Sequence, residues 1–224
     1  MAVRLPPIEA YRLWSKTWEA DPSAIVALES RLLAPRLTGL RDKVFLDLSC
    51  GVGRWLVHAR AQGAVVFGTD LCAEMLMEAR RKAQGRLALA DTRRLPLADS
   101  CADVALCALS LGHMTPMESG LSELARVVRR GGSLIVTDFH PEALRHGWKR
   151  TFKSEGRLYE VETFAYTTER LMECAMRSGL RLQELIEPCF GDPEREFFER
   201  AGKLDLFDQV RDIPAVLLAR WTRP

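Results

Sequence analysis

Short apolar runs alternate with helical patterns through most of this 224-residue chain, and this alternation restricts the possible folds more than any other feature. Polar residues do not occupy every second position of these runs, as they would in half-exposed strands. Strands of this kind are buried on both faces, which requires helices above and below a parallel sheet. The pattern therefore predicts an α/β fold.

Seven runs are interpreted as strands, and the segments between several of them as helices that stop at glycine. The predicted strands are residues 43–48, 64–70, 86–91, 102–111, 133–139, 181–188 and 213–224. The predicted helix stops are Gly63, Gly85, the pair Gly131 and Gly132, and Gly179. The order is the strand–helix repeat of a doubly wound sheet.

Two segments lie outside this repeat. Residues 8–40 carry apolar side chains at helical spacing, and a break at Asp21 and Pro22 divides them into two predicted helices. Residues 140–166 have mixed polarity, which is typical of an insertion over the strand ends. The aromatic residues of this insertion predict either an apolar substrate pocket or a small core of its own. They are Trp148, Phe152, Tyr159, Phe164 and Tyr166.

Composition excludes several classes of protein. Hydrophobic residues make up 47% of the chain, yet no apolar stretch is long enough to span a bilayer or to act as a secretory signal. We therefore expect one soluble domain over residues 1–224. Six cysteines without a CxxC pair favour a reducing cytoplasm. The net charge of +2 disfavours dedicated nucleic-acid binding, and the histidine and cysteine spacing disfavours a metal site.

The segment DLSCGVG at residues 47–53 is the strongest indication of a ligand site, because it joins a predicted strand to a predicted helix. Glycine there allows a ligand to approach the backbone, and the helix start offers free amides. Asp70 ends the next strand, where a carboxylate can accept hydrogen bonds from both hydroxyls of a ribose. Taken singly, the turn is also compatible with binding nothing and Asp70 with capping a helix. Together they favour a nucleoside ligand.

A dinucleotide site is disfavoured, because Leu56 stands where the GxGxxG pattern requires its third glycine. Four segments instead resemble successive motifs of the class I S-adenosylmethionine-dependent methyltransferases, over residues 44–141. The segments are VFLDLSCGVGR, VVFGTDLCAEML, LALADTRRLPLADSCADVALCALSLGHM and ELARVVRRGGSLIVTDFHP. The likeness is to the branch that includes the menaquinone and ubiquinone C-methyltransferases.

This resemblance implies a Rossmann-like, seven-stranded, mostly parallel sheet with an antiparallel last strand and helices on both faces. It also implies that residues 1–40 form an N-terminal helical lid and that residues 140–166 shape the substrate pocket after the fifth strand. The implied reaction is transfer of a methyl group from S-adenosylmethionine to a small-molecule acceptor, on oxygen, nitrogen or carbon.

The resemblance also implies roles for individual residues. Those around the amino-acid part of the cofactor are Asp47, Cys50, Gly51 and Gly53, with Ser49 between them. Asp70 would hold the ribose, Leu71 and Met75 would flank the adenine, and Asp91 and Thr92 would meet its polar edge. Residues Ala108, Leu109 and Ser110 would line the strand end near the sulfonium. Tyr11 is the candidate to bind the methionine carboxylate, unless it is a core tyrosine.

Ser49 and Arg130 depart from the family, which usually has glycine and proline at these positions. We expect Ser49 to have a negative φ, because its Cβ disfavours the left-handed region. An acceptor that loses a proton needs a base within hydrogen-bond reach, and His113 and then His140 are the candidates because each follows a strand. Either can equally be a loop histidine bonded to backbone.

Three other functions remain open at this point. They are a nicotinamide-dependent reductase, a non-catalytic module that binds S-adenosylmethionine, and a methyltransferase acting on RNA or protein. The last has weak support from the basic residues at 80–82 and 125–130.

Overall fold

The computed structural model describes residues 2–20 and 23–224, so the predicted break at Asp21 and Pro22 lies outside the described residues. The strands are β1 Val3–Leu5, β2 Val44–Leu48, β3 Val65–Asp70, β4 Arg86–Leu89, β5 Ala102–Ala108, β6 Val128–Phe139, β7 Thr151–Ser154, β8 Arg157–Val161, β9 Arg181–Ile186 and β10 Val216–Thr222. The α-helices are α1 Pro7–Trp14, α2 Ala24–Leu33, α3 Arg54–Ala61, α4 Ala73–Ala83, α5 Met117–Val127, α6 Pro141–Arg145, α7 Thr168–Arg177, α8 Asp192–Arg200 and α9 Leu204–Val210.

Seven strands form one sheet in the order β4-β3-β2-β5-β6-β10-β9. Strands β2 to β6 pair in parallel, whereas β10 runs antiparallel to both of its neighbours. The predicted fold class, including the antiparallel last strand, is confirmed. Because the parallel strands end at one edge of the sheet, the loops that follow β2, β3, β4 and β5 meet there.

Helices cover both faces of this sheet with their apolar sides. Neighbouring residues of β2 belong to different core clusters, since Phe45 packs with α3 and Leu46 packs with α5 and α7. Successive side chains of a strand point to opposite faces, so these clusters lie on the two sides of the sheet. The continuous apolar runs in the sequence are explained by this double burial.

A second, three-stranded sheet in the order β1-β8-β7 was not predicted. Its two later strands form a hairpin around Glu155 and Gly156, which both have positive φ, and β1 pairs with β8 in parallel. Trp14 of α1 stacks on Phe152 of the hairpin with ring centroids 4.7 Å apart. The N-terminal segment and the insertion therefore form one unit. We call residues 3–14 and 150–161 the cover.

The predicted helix stop at Gly131 and Gly132 is wrong. Helix α5 ends at Val127 instead of at Gly131 and Gly132, which lie within β6. The guanidinium of Arg223 donates to the carbonyls of Arg126 and Val128, so the helix end is satisfied by a distant side chain.

At the end of α4, the residue with positive φ is Gln84 instead of Gly85. Gly85 is instead required for close packing, since a Cβ there would lie 3.0 Å from a methyl group of Val66. No helix in the described part of the chain has the length and apolar character needed to cross a bilayer.

Candidate active site

A cavity of about 150 Å³ opens where β2, β3 and β5 end, beneath the cover. All but two of the residues predicted from the sequence line this cavity, although they come from five separate segments. They are Tyr11, Asp47, Ser49, Cys50, Gly51, Asp70, Leu71, Met75, Asp91, Thr92, Ala108, Leu109, Ser110 and His113. Gly53 and His140 are not part of the wall.

The turn after β2 contains three residues with positive φ. Ser49 has a φ of 66°, so the expectation of a negative φ is wrong. The turn reverses the chain within a few residues, and the Ser49 hydroxyl lies 3.1 Å from that of Thr92, a hydrogen bond that helps offset the strain. Gly51, with φ 54°, has open space where a Cβ would be, as expected of a position that a ligand approaches. Gly53 instead faces Ala79, only 3.1 Å from where its Cβ would lie, and allows α3 to pack on α4.

Asp47 is a buried carboxylate whose two oxygens have no hydrogen-bond partner among the described residues. Burial raises its pKa to about 8, despite the opposing effect of the nearby Arg54 guanidinium. An unpaired carboxylate on a cavity wall favours a cationic ligand, because a positive charge there would relieve the cost of burial. The ammonium and sulfonium groups of S-adenosylmethionine fit this requirement.

Asp70 has the opposite surroundings. One of its oxygens accepts a hydrogen bond from the Gly51 amide and the other from the Cys72 amide, both at 2.8 Å. Burial raises the pKa of Asp70, and these backbone bonds oppose the shift. Each oxygen keeps a second lone pair for a hydroxyl donor. Asp70 is thus fixed in place and able to accept from a ribose.

The residues expected around an adenine lie next to Asp70 on the wall. Met75 is buried, whereas Leu71 is exposed at the mouth of the cavity. Asp91 is bound by Arg93 through several hydrogen bonds, the shortest 2.6 Å, and this side chain lowers the pKa of Asp91. The Asp91 carboxylate therefore already has a cationic partner.

Of the two predicted bases, only His113 reaches the cavity. Its Nδ1 lies 2.9 Å from the Glu162 carbonyl oxygen, which only accepts, so Nδ1 carries the proton and Nε2 accepts from the Tyr11 hydroxyl at 2.9 Å. Burial, and secondly Arg150, lowers the pKa of His113 to about 3. His140 instead caps α6 by accepting from the Glu142 amide, and it lies 2.9 Å from Glu187.

Three arginines on the wall were missed from the sequence: Arg93, which binds Asp91, and Arg54 and Arg150. Arg54 pairs with the buried Glu29 at 2.8 Å, and Arg150 reaches from the cover to Tyr11. A single arginine leaves no periodic pattern in the sequence that would predict that it faces a cavity. Arg54, however, follows the DLSCGVG turn directly and so lies close to the predicted site.

Known proteins share both the sequence motifs and the fold. The family described as "Methyltransferase domain" matches residues 46–136. The chain is 36% identical over 126 residues to malonyl-[acyl-carrier protein] O-methyltransferase of Pectobacterium atrosepticum, covering 54% of this chain and 49% of the relative. It is 38% identical over 106 residues to demethylmenaquinone methyltransferase of Thermus thermophilus, covering 44% and 48%. The chain thus spans about half the length of the curated relatives that it matches.

A solved S-adenosylmethionine-dependent methyltransferase of Mesorhizobium loti superposes with a TM-score of 0.69 at 20% identity, covering 89% of this chain and 100% of that structure. This likeness concerns the fold. Over residues 46–136 the chain is similar to the class I S-adenosylmethionine-dependent methyltransferases. The predicted resemblance to this class and to its menaquinone branch is confirmed.

The aromatic residues of the insertion, residues 140–166, do not line the cavity. Trp148 stacks on Phe190, and Phe152 stacks on Tyr159 and Trp14, within small apolar clusters. The prediction of a small core of the insertion's own therefore holds for Phe152 and Tyr159, whereas Tyr166 packs against the main core and Phe164 is exposed. The described residues contain no group of three or more side chains suited to hold a metal ion.

Proposed function

We propose that this chain transfers a methyl group from S-adenosylmethionine to a small-molecule acceptor, as a single domain over residues 1–224. The observation that carries the proposal is the unpaired carboxylate of Asp47, on a cavity wall that also holds Asp70 and Gly51. The names of the relatives support methyl transfer, and their different acceptors leave the acceptor of this chain open.

In this proposal, Asp47 binds the ammonium group of the cofactor, Asp70 binds the ribose, and Met75 packs against the adenine. The cofactor supplies a methyl group that is already electrophilic, so the protein has to hold the acceptor in line and exclude water. Residues 1–40 and 140–166 are the proposed lid and substrate-pocket elements. Six free cysteines support the cytoplasm as the location.

His113 is the remaining candidate for a base, since His140 is directed elsewhere. With a pKa of about 3, His113 is neutral at pH 7, but its Nε2 is already occupied by Tyr11. A direct role as base therefore requires the Tyr11 hydroxyl to leave Nε2 when the acceptor binds. An acceptor that needs no deprotonation would not require this movement.

Calorimetric titration with S-adenosylhomocysteine tests the cofactor site. We expect the wild type to bind and Asp70→Ala to bind about 1–3 kcal/mol more weakly, because charge-assisted bonds to the ribose are lost. Asp208→Ala, which removes an exposed carboxylate from α9, is the control and should bind like the wild type. Absence of binding by the folded wild type would refute the proposed function.

Transfer of a labelled methyl group to a panel of small acceptors tests the reaction. Incorporation into a small molecule supports the proposal. Labelling of RNA or protein instead, or binding without any transfer, would favour the corresponding alternative.

A further inference from the structure

Arg150 is the one side chain of the insertion that reaches the cavity wall among the described residues. It lies directly before β7, and its backbone carbonyl accepts a hydrogen bond from the Val161 amide at 2.9 Å. The hairpin therefore fixes the backbone of Arg150. The side chain is only 6% exposed and lies over the ring of Phe139, 4.7 Å from its centroid. A long cationic side chain is rarely buried in this way unless its charge is paired with polar or acidic groups.

A single nitrogen of Arg150 connects two separate parts of the wall. Its Nη1 donates to the Tyr11 hydroxyl at 2.7 Å and to the Leu109 carbonyl oxygen at 2.6 Å, while Nη2 lies 3.3 Å from the buried carboxylate of Asp138. Asp138 balances the charge of Arg150 and also accepts a hydrogen bond from the Gly112 amide. Arg150 thus joins α1, the loop after β5 and the end of β6.

The two groups that Arg150 holds both need an external constraint. Leu109 has a φ of 53°, a conformation that disfavours a residue with a Cβ, and its carbonyl oxygen is fixed by the arginine. The Tyr11 hydroxyl accepts a hydrogen bond from Arg150 and donates one to His113, so the hydroxyl hydrogen points to Nε2 of His113. Without the guanidinium, the Leu109 carbonyl would lose this side-chain donor, and the Tyr11 hydroxyl would keep only its bond to His113.

We propose that Arg150 is a positioning residue of the cofactor site, which holds Tyr11 and the loop at Leu109 in the arrangement that binds S-adenosylmethionine. The insertion then contributes to cofactor affinity as well as to the choice of acceptor. This inference rests on the proposed function. It extends that function to a part of the chain outside the matched methyltransferase segment, residues 46–136.

The test is a double-mutant cycle on the affinity for S-adenosylhomocysteine. We expect Arg150→Met and Tyr11→Phe each to raise the dissociation constant about tenfold. The double variant should bind clearly less than tenfold more weakly than Arg150→Met, because the part of the arginine's effect that passes through the Tyr11 hydroxyl is lost only once, whereas the part that passes through Leu109 remains. A general loss of structure would instead add to the effect of Tyr11→Phe.

Lys149→Met is the matched control, since Lys149 is the neighbouring cation, is exposed and pairs with Glu160 on the hairpin surface. It should change the affinity less than twofold. If Arg150→Met does not fold, Arg150→Lys replaces it in the cycle. Lysine keeps the charge without the planar fork, and we expect it to bind at least threefold more weakly than the wild type.

The possible failures are distinguishable. A folded wild type that does not bind S-adenosylhomocysteine refutes the proposed function itself. A wild type that binds, with Arg150 variants of unchanged affinity or with additive effects in the cycle, overturns the role of Arg150 alone.

Discussion

Two carboxylates in the cavity wall have opposite surroundings, and these define what each can do. Asp70 is fixed by two backbone amides, whereas Asp47 has no hydrogen-bond partner within the described residues. A fixed carboxylate is suited to orient hydroxyl groups, and an unpaired buried one favours the arrival of a cation. The cavity therefore combines an orienting group with a charge-selecting group.

The raised pKa of Asp47 predicts how the stability of the ligand-free protein changes with pH. With a folded-state pKa of about 8 against an ordinary value of 3.8, the folded state holds the proton more tightly than the unfolded state. Stability is therefore lost as the pH rises through this window, and the loss is complete above pH 8. Thermal unfolding at a series of pH values measures this.

We expect the wild type to lose several degrees of Tm relative to Asp47→Asn between about pH 5 and pH 9, at about 2–4 °C for each kcal/mol. Asparagine has nearly the same shape and does not ionise, so the difference reports the carboxylate. Asp208→Asn, at an exposed site, should follow the wild type. Parallel pH profiles for wild type and Asp47→Asn would contradict this assignment.

At the scale of elements, helix α8 is attached to α2 by one buried carboxylate. Glu194 accepts from Nε and Nη2 of Arg31 at 2.9 and 3.0 Å, and from the Gly191 amide at 2.9 Å before the helix begins. These bonds join an element near the chain's end to one that precedes the first strand of the main sheet. Phe197 of α8 and Trp18 line a further cavity.

Glu194→Ala should reduce the free energy of unfolding by about 1–3 kcal/mol, because a charged pair and a helix cap are lost together. Urea unfolding followed by circular dichroism measures the change. Glu196→Ala on the same helix removes an exposed carboxylate that pairs with the exposed Arg200, and it should change stability by less than about 0.5 kcal/mol. Equal effects of the two substitutions would refute the proposed attachment.

Considered as a whole, the molecule consists of the seven-stranded sheet with its helices and of the cover, with the cavity between them. The cover is held together by strand pairing between β1 and β8, and it is attached to the loop after β5 by the bonds of Arg150 to Leu109 and of Tyr11 to His113. A ligand that contacts both parts should stabilise them together, since binding energy is shared by the groups that close around it.

Hydrogen exchange with and without S-adenosylhomocysteine tests this. We expect the ligand to slow exchange in β1, α1 and the hairpin β7–β8 as well as in the loop 47–53, and to leave α7 and β9 unchanged. Protection limited to the loop 47–53 and the end of β3 would show that the cover does not close on the ligand.

Several features of this protein follow from local sequence. The apolar runs at β2, β3 and β5 predict buried parallel strands, and parallel strands bring their carboxyl ends to one edge. The residues at or just after the ends of these strands, such as Asp70 and Ser110, therefore had to lie close together. Local pattern and elementary sheet geometry are sufficient for this step.

Other features depend on contacts between residues far apart in the chain, which no local pattern encodes. The pairing of β1 with β8, the burial of Arg150 beside Tyr11 and the end of α5 under Arg223 are of this kind. The left-handed conformation of Ser49, whose hydroxyl is bonded to that of Thr92, and the contact of His140 with Glu187 depend on such distant partners as well. Sequence determined the sheet and the edge at which the site lies, whereas tertiary packing decided which side chains face the cavity, because only packing chooses among partners that are distant in sequence.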